Sequence, residues 1–204
     1  MAQADEGLCR NGMFGEENSV FGLGLVAAPG RTHFVYDMQG CPDVAVQCRL
    51  KSYLVSGQRV VTGRIQGGYI CVYYPNKGGG TAGWVEATRI KPLTVELHPS
   101  VSAWLGHWSD EGNPFLRFYV RRGKLIVHGF AAWPSFDPPL KEFPGGPHTG
   151  EIEEPVGLSG NRAFASECEV TFILLGDLMV AADPKRECGG VNVVFTAVYQ
   201  RSRR

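Results

Sequence analysis

The chain has 204 residues, enough for one large domain or two small domains that each bury a core. Its 20 Lys and Arg residues are balanced by 20 Asp and Glu residues, so we expect no nucleic-acid partner. Its apolar runs all fall short of the roughly 18 residues that a membrane-spanning helix needs, and we expect no membrane insertion.

Strand signals follow one another closely through the first half of the chain. Glycine (27 residues) and proline (13 residues) separate short apolar runs, a composition that favours an all-β fold with many turns. Pro92 and Pro99 then mark a connector, which places a first domain at residues 1–93 and a second at residues 100–204. The predicted strands are Phe21–Ala27, Thr32–Asp37, Arg49–Val55, Arg59–Ile65, Tyr69–Tyr74 and Gly83–Ala87.

The second half predicts two hairpins and one further strand. The second hairpin turns at Gly176-Asp177, a pair that suits a two-residue type II′ turn. Five prolines and three glycines mark Trp133–Gly150 as an exposed loop. Because no amphipathic stretch of helical period exceeds two turns, we predict an antiparallel β-barrel or sandwich here. The predicted strands are Phe115–Val120, Lys124–Gly129, Cys168–Leu175, Leu178–Ala182 and Val191–Tyr199.

Six scattered cysteines indicate disulfides and an oxidising compartment, because none forms the paired C-x-x-C cluster of a structural zinc site. The two in the second half should pair, since the predicted hairpin doubles back between them. The four in the first half allow three pairings. The favoured pairs are Cys168 with Cys188, Cys41 with Cys48, and Cys9 with Cys71.

The N-terminus points to the same compartment. Ala2-Gln3-Ala4 has the small-x-small form found just before a signal-peptidase cleavage site. We therefore expect a signal peptide to belong before this segment, and we expect a periplasmic or secreted protein.

Three segments of the first half resemble bacterial Src-homology-3-like domains. They are Tyr53–Val61, Gly68–Tyr73 and Thr81–Val85, followed by Ile90. The family pattern is a strand, a G-x-x-V step, a strand with W/Y-x-x-V, and a closing G-W-V before a last apolar residue. The resemblance covers about a quarter of the chain. It implies a small, partly open barrel that binds peptides or cell-wall polymers.

Aromatic residues supply the candidate ligand surface in this half. Tyr69, Tyr74 and Trp84 offer large rigid faces on which a proline-rich or sugar-bearing ligand could stack. The alternative is that these rings point into the core. Strand alternation puts Tyr73 and Tyr74 on opposite faces, so at most one of them belongs to any single surface.

The second half is similar, more loosely, to the opening of lipocalin-like and avidin-like barrels, where G-x-W leads the first strand. The residues concerned are Trp104–Trp108 and Gly123–Gly129, and they carry over no functional residue. The loop Pro134–His148 is the second candidate partner-binding segment, because long ordered loops in β domains often insert into a partner. Its candidate contact residues are Phe136, Leu140, Phe143 and His148.

Motifs for catalysis, metals and cofactors find little support. Gly22–Ala27 fits G-x-G-x-x-A but has no helix after it and no acidic residue at the required distance, so we expect no cofactor. The five histidines are far apart in sequence, which argues against a metal site. Glu151, Glu153 and Glu154 are predicted to lie in a solvated acidic loop.

We therefore expect a non-enzymatic bacterial binding protein, periplasmic or secreted. Its partner would be a cell-wall peptide or a protein such as a cell-wall-lytic enzyme, which it would inhibit or give immunity against. Two alternatives stay open. One is a small hydrolase with a site at the domain junction around His107, Asp110 and His128, and the other is a lipocalin-like carrier of a small apolar ligand.

Overall fold

The computed structural model describes residues 8–36, 41, 48–77, 79–110, 114–133 and 146–202. The chain divides into two compact units, Met1–Val95 and Glu96–Arg204, and the division falls inside the connector that its prolines predict. Both units are built almost entirely of antiparallel strands, which confirms the all-β prediction. No helix in the described ranges is long and apolar enough to cross a membrane.

In the first unit, the described residues form one seven-stranded antiparallel sheet in the order β3-β2-β6-β5-β4-β1-β7. Strand β2 therefore lies between β3 and β6, which brings together residues that are far apart in sequence. Every predicted strand of this half is present. The elements are α1 Phe14–Glu17, β1 Gly22–Val26, β2 Arg31–Val35, β3 Arg49–Val55, β4 Arg59–Gln66, β5 Tyr69–Tyr74, β6 Thr81–Glu86, a 3-10 helix Ala87–Arg89 and β7 Ile90–Leu93.

The core of this unit forms from one face of the alternating strands. Gly24 is required where β1 runs between β4 and β7, because a Cβ there would lie 2.4 Å from Cγ2 of Ile90. β-branched and aromatic residues dominate the core, as expected for a pleated surface. Its buried members are Val26, Phe34, Leu54, Val60, Val72, Val85 and Ile90.

An N-terminal arm, residues 8–19, is bound to this unit by a disulfide, ring contacts and buried hydrogen bonds. Cys9 is bonded to Cys71 of β5. The Asn18 side chain donates to the carbonyl of Phe14 at 2.9 Å and accepts from the backbone N–H of Arg64 at 2.8 Å. The Arg64 guanidinium donates to backbone carbonyls of the arm as well, at Glu17 over 3.0 Å and at Leu8.

In the second unit, eight described strands close into an antiparallel barrel in the order β10-β11-β12-β13-β14-β15-β8-β9. The closing seam joins β15 to β8 through two residue pairs, Gln200 with Ser109 and Arg201 with Trp108. The elements are a 3-10 helix Val101–Ala103, β8 Gly106–Ser109, β9 Phe115–Arg121, β10 Lys124–Trp133, β11 His148–Ser159, β12 Arg162–Ala165, β13 Val170–Leu175, β14 Leu178–Ala182 and β15 Ala197–Arg201.

Three sequence-based expectations for this unit are wrong. Both ends of the predicted loop Trp133–Gly150 belong to strands, because β10 ends at Trp133 and β11 begins at His148. Glu151, Glu153 and Glu154 lie in β11 and not in a solvated loop. Strand alternation buries Glu154, whose carboxylate accepts the backbone N–H of Glu167 at 2.8 Å and of Cys168 at 2.9 Å. The last strand begins at Ala197, so residues 191–196 of the predicted strand form part of the β14–β15 connection.

Side chains fill the interior of the barrel. An eight-stranded barrel is just wide enough for inward side chains to occupy its centre. Trp108 donates its indole N–H to the carbonyl of Trp104 at 3.0 Å, and the Tyr199 hydroxyl donates to that of Phe195 at 2.9 Å. Burial holds the pKa of Tyr199 well above its ordinary value. The packed aromatic interior gives the carrier alternative no support. Its largest members are Trp104, Trp108, Phe118, Phe172, Phe195 and Tyr199.

Arg201 braces the seam of the barrel. Its guanidinium lies 4.1 Å from the ring centre of Trp108. One terminal nitrogen donates to the carbonyl of Leu105 at 2.5 Å, and the other donates to the carbonyl of Ala103. Partial burial lowers the pKa of Arg201. The side chain thus joins the last strand to the first strand and to the 3-10 helix before it.

Three disulfides fix the turns and the arm. The pairs are those favoured by the sequence: Cys9–Cys71, Cys41–Cys48 and Cys168–Cys188. Together they indicate an oxidising, extracytoplasmic environment.

A buried carboxylate organises the connection between β14 and β15, and its loss should destabilise the barrel. Asp183 accepts the backbone N–H of Phe195 and that of Arg186, each at 3.0 Å. We expect Asp183→Ala to lower the free energy of unfolding by about 3 kcal/mol, because buried donors left without acceptors cost about 1–3 kcal/mol each. Urea unfolding would measure this. Asp183→Asn keeps one acceptor oxygen and should lose less, whereas a loss below about 0.5 kcal/mol for Asp183→Ala would contradict the bracing role.

Candidate functional site

A pocket of about 190 Å³ opens on the first unit, on the face where β3, β2, β6 and β5 lie side by side. The non-sequential order of these strands assembles it from five separate elements. The pocket is small compared with the roughly 300–1,000 Å³ of sites that enclose a whole small molecule, so it fits one charged group or one side chain. Its lining residues are Arg31, His33, Val35, Arg49, Tyr69, Glu86 and Arg89.

Two of these residues are oriented by Tyr53 of β3. The Arg31 guanidinium lies 4.4 Å from the centre of the Tyr53 ring, a cation–π contact that limits its rotamers. His33 contacts the same ring with centroids 5.5 Å apart, and its Nδ1 lies 2.8 Å from the carbonyl oxygen of Leu50. Because a carbonyl can only accept, Nδ1 carries the proton. The two side chains are therefore held in place before any ligand arrives.

Arg89, in the 3-10 helix after β6, is held by backbone and side-chain acceptors. Its Nε donates to Oγ1 of Thr32 at 2.8 Å, and one terminal nitrogen donates to the carbonyl of Pro29 at 2.8 Å. Thr32 is itself buried, which fixes this anchor. Arg89 thus contributes a pre-positioned positive charge to the pocket wall.

The pocket carries an excess of positive charge. Arg31, Arg49 and Arg89 face a single acid, Glu86, and none of these four side chains forms a salt bridge to another described residue. The guanidinium fork matches the geometry of carboxylate and phosphate groups. The arrangement is therefore suited to binding a small anion or an anionic end of a larger ligand.

The structure separates the three aromatic residues predicted as a ligand surface. Tyr69 lines the pocket and is 9% exposed. Trp84 lies on the same face of the sheet but is fully buried, as expected from the alternative that these rings belong to the core. Tyr74 packs against the core on the opposite face, and its hydroxyl accepts a hydrogen bond from Gln58 at 2.7 Å. Of the three, Tyr69 is positioned to contact a ligand in the pocket.

The second predicted surface is described in part. Phe136, Leu140 and Phe143 lie outside the residues that the structure describes. His148 begins β11, is exposed, and stacks on Trp133 with ring centres 6.2 Å apart. Trp133 is 44% exposed. The partner-binding role of this segment stays a prediction.

The residues of the hydrolase alternative do not assemble. His107 on β8 and His128 on β10 both pair in register with Arg117 on β9, which lies between them. Two strand spacings put their Cα atoms about 10 Å apart. Both histidines and Asp110 belong to the barrel unit, and the in-register Arg117 lies between the two histidines.

One cluster could in principle hold a metal ion. Ligand atoms of His128, Glu151 and Glu153 lie within 4.8 Å of one another on β10 and β11. Glu153 already accepts from the Tyr119 hydroxyl at 3.0 Å and from Arg121 at 2.9 Å. The hydrogen bond from Tyr119 is the main cause that lowers the pKa of Glu153, and the hydrogen bond from Arg121 lowers it further. Glu153 is thus part of an exposed hydrogen-bonded network with Tyr119 and Arg121.

Fold and pocket together define a disulfide-bonded, two-unit β protein with a cationic pocket on its first sheet. Comparison with models of protein families, with curated proteins and with solved structures found no match.

Proposed function

We propose that this is a non-enzymatic, periplasmic or secreted bacterial protein that binds a cell-wall peptide in the cationic pocket of its first unit. The observation that carries this proposal is the convergence of Arg31, Arg49 and Arg89 on one small pocket without acidic partners among the described residues.

The chemistry of cell-wall peptides suits such a pocket. These peptides are short and carry free carboxylates, which arginine binds through two parallel charge-assisted hydrogen bonds. Fixing Arg31 on Tyr53 and Arg89 on Thr32 before binding reduces the entropy lost when the ligand binds. The disulfides support the same compartment as the cell wall.

A protein partner, such as a lytic enzyme that this chain would inhibit, is the competing occupant. Stable protein interfaces bury about 800 Å² on each side, so a protein partner would need extensive contacts outside this small pocket. We therefore favour the peptide and treat the protein partner as an outcome of the test.

Removing two of the pocket arginines should abolish most of the binding. We expect Arg31→Ala/Arg49→Ala to weaken binding of a soluble cell-wall tripeptide about 100-fold, because each lost charge-assisted hydrogen bond is worth about 1.5–3 kcal/mol. Isothermal titration calorimetry at two salt concentrations would measure this. Higher salt should reduce the affinity of the wild-type protein for the tripeptide more than it reduces that of the variant.

A matched control removes the same charge elsewhere. Arg117→Ala/Lys124→Ala takes two positive charges from exposed positions of the second unit and should leave the affinity within about twofold. Equal affinities for all three proteins would contradict the pocket. If the protein binds no tripeptide but captures one protein from a cell lysate, the result would favour a protein partner.

A further inference from the structure

We infer that the pocket recognises a zwitterionic head group, a free amino group beside a carboxylate on one carbon, and not a simple anion. This inference rests on the proposed function and names the part of the peptide that enters the pocket. It follows from the single acidic residue in the pocket wall.

Glu86 is the last residue of β6 and is exposed in the pocket. It pairs across the sheet with Tyr69 of β5. Three arginines line the same small pocket, yet within the described residues Glu86 forms no salt bridge to any of them. A carboxylate in this setting remains able to accept hydrogen bonds from a cation that the ligand brings.

Three of the four charged residues of the pocket lie on neighbouring strands, and the fourth, Arg89, follows Glu86 in the 3-10 helix after β6. Arg49 lies on β3, Arg31 on β2 and Glu86 on β6, and these three strands are consecutive neighbours. Val35 of β2 pairs with Trp84 of β6, so alternation puts Glu86 on the same face as Val35 and His33. Glu86 is therefore the one acidic group among the described residues that line the pocket, one strand away from Arg31 and two strands away from Arg49.

This arrangement of charges matches the two charges of an amino-acid head. A carboxylate bound by the arginines leaves its neighbouring ammonium within reach of Glu86, which is also a charge-assisted hydrogen bond. A ligand that carries the carboxylate alone meets Glu86 as a like charge, which disfavours it. Glu86 therefore selects for the amino group, while the arginines supply the affinity for the carboxylate.

The test uses two tripeptides that differ in one amino group. The first is L-Ala-γ-D-Glu-meso-diaminopimelate, whose side chain ends in a free amino-acid head, and the second is the same peptide acetylated on that amine. We expect the wild-type protein to bind the free form at least tenfold more tightly by calorimetry. Glu86→Gln should reduce this ratio below twofold, and Glu86→Asp should retain most of it.

Each other outcome is informative. If the wild-type protein binds both peptides equally and the Arg31→Ala/Arg49→Ala variant binds neither, the zwitterion inference is overturned. The proposed function then still stands. A preference for the free amine that persists in Glu86→Gln overturns the role of Glu86. Failure of the wild-type protein to bind either peptide contradicts the proposed function itself. Circular dichroism of each variant would check that the fold is retained, as expected for a substitution at exposed Glu86.

Discussion

Replacing Cys9 and Cys71 by serine is expected to lower the free energy of unfolding of the first unit by about 4 kcal/mol. The disulfide closes a loop of 62 residues, and the loop-closure entropy it removes from the unfolded chain amounts to about 4 kcal/mol at this length. Against a typical total stability of about 5–15 kcal/mol, this is a large fraction.

The native state should change locally as well. Without the disulfide, the N-terminal arm is held by the hydrogen bonds of Asn18 and Arg64 and by the contact of Phe14 with Tyr73, whose ring centres lie 5.7 Å apart. We expect the arm to open more often, which exposes the face of β5 that it covers. Hydrogen–deuterium exchange would show faster exchange in residues 8–19 and in β5.

The other two disulfides provide the comparison. The Cys41–Cys48 loop spans 7 residues and the Cys168–Cys188 loop spans 20, which correspond to about 2 and about 3 kcal/mol. The cost should rise with loop length across the three serine pairs. A Cys41→Ser/Cys48→Ser variant that loses as much as Cys9→Ser/Cys71→Ser would contradict the entropic explanation.

Arg201→Ala is the second change with a large expected effect, a loss of about 4 kcal/mol from the second unit. Two charge-assisted hydrogen bonds to the carbonyls of Leu105 and Ala103 would be lost, at about 1.5–3 kcal/mol each. The cation–π contact with Trp108 adds about 1 kcal/mol. Besides these contacts, the seam has two residue pairs and a backbone hydrogen bond from Ser202 to the carbonyl of His107 at 2.9 Å.

Two further variants separate these contributions. Arg201→Lys keeps a positive charge over Trp108 but cannot donate in two directions, and it should lose about half as much. Arg201→Met keeps the apolar stem and should resemble Arg201→Ala. Urea unfolding and hydrogen exchange at β8 and β15 would measure both. If Arg201→Ala left exchange at the seam unchanged, the bracing role would be refuted.

Local patterns in the sequence were sufficient for most of the strands, with the exceptions of β7, β8, β11 and β12, and they favoured the disulfide pairs that the structure has. Tyr69–Tyr74 and Leu178–Ala182 are bounded by turn residues and are found as predicted, because such strands are specified by neighbouring residues. The strand His148–Ser159 was missed because its glutamates suggested solvent. Glu154 can be buried because the backbone N–H groups of Glu167 and Cys168 donate to its carboxylate. Strand alternation alone does not reveal these donors.

The pocket could not be predicted from the sequence in the same way. Arg31, Arg49 and Arg89 have no common motif or spacing and read individually as exposed charges. They meet because β2 inserts between β3 and β6, a long-range pairing that local periodicity does not encode. Tyr69 is recognisable from the sequence because it is aromatic, whereas Glu86, the residue to which we assign selectivity, has no distinguishing sequence signal.

The position of the barrel seam also constrains when the second unit can fold. Its first strand, Gly106–Ser109, pairs with its last, Ala197–Arg201, so the contact that closes the barrel spans nearly the whole unit. During synthesis, the strands that have already formed keep an open sheet edge until residues 197–201 emerge, and open edges can pair with other chains. The interval before the last strand arrives is therefore when this protein is most vulnerable to aggregation.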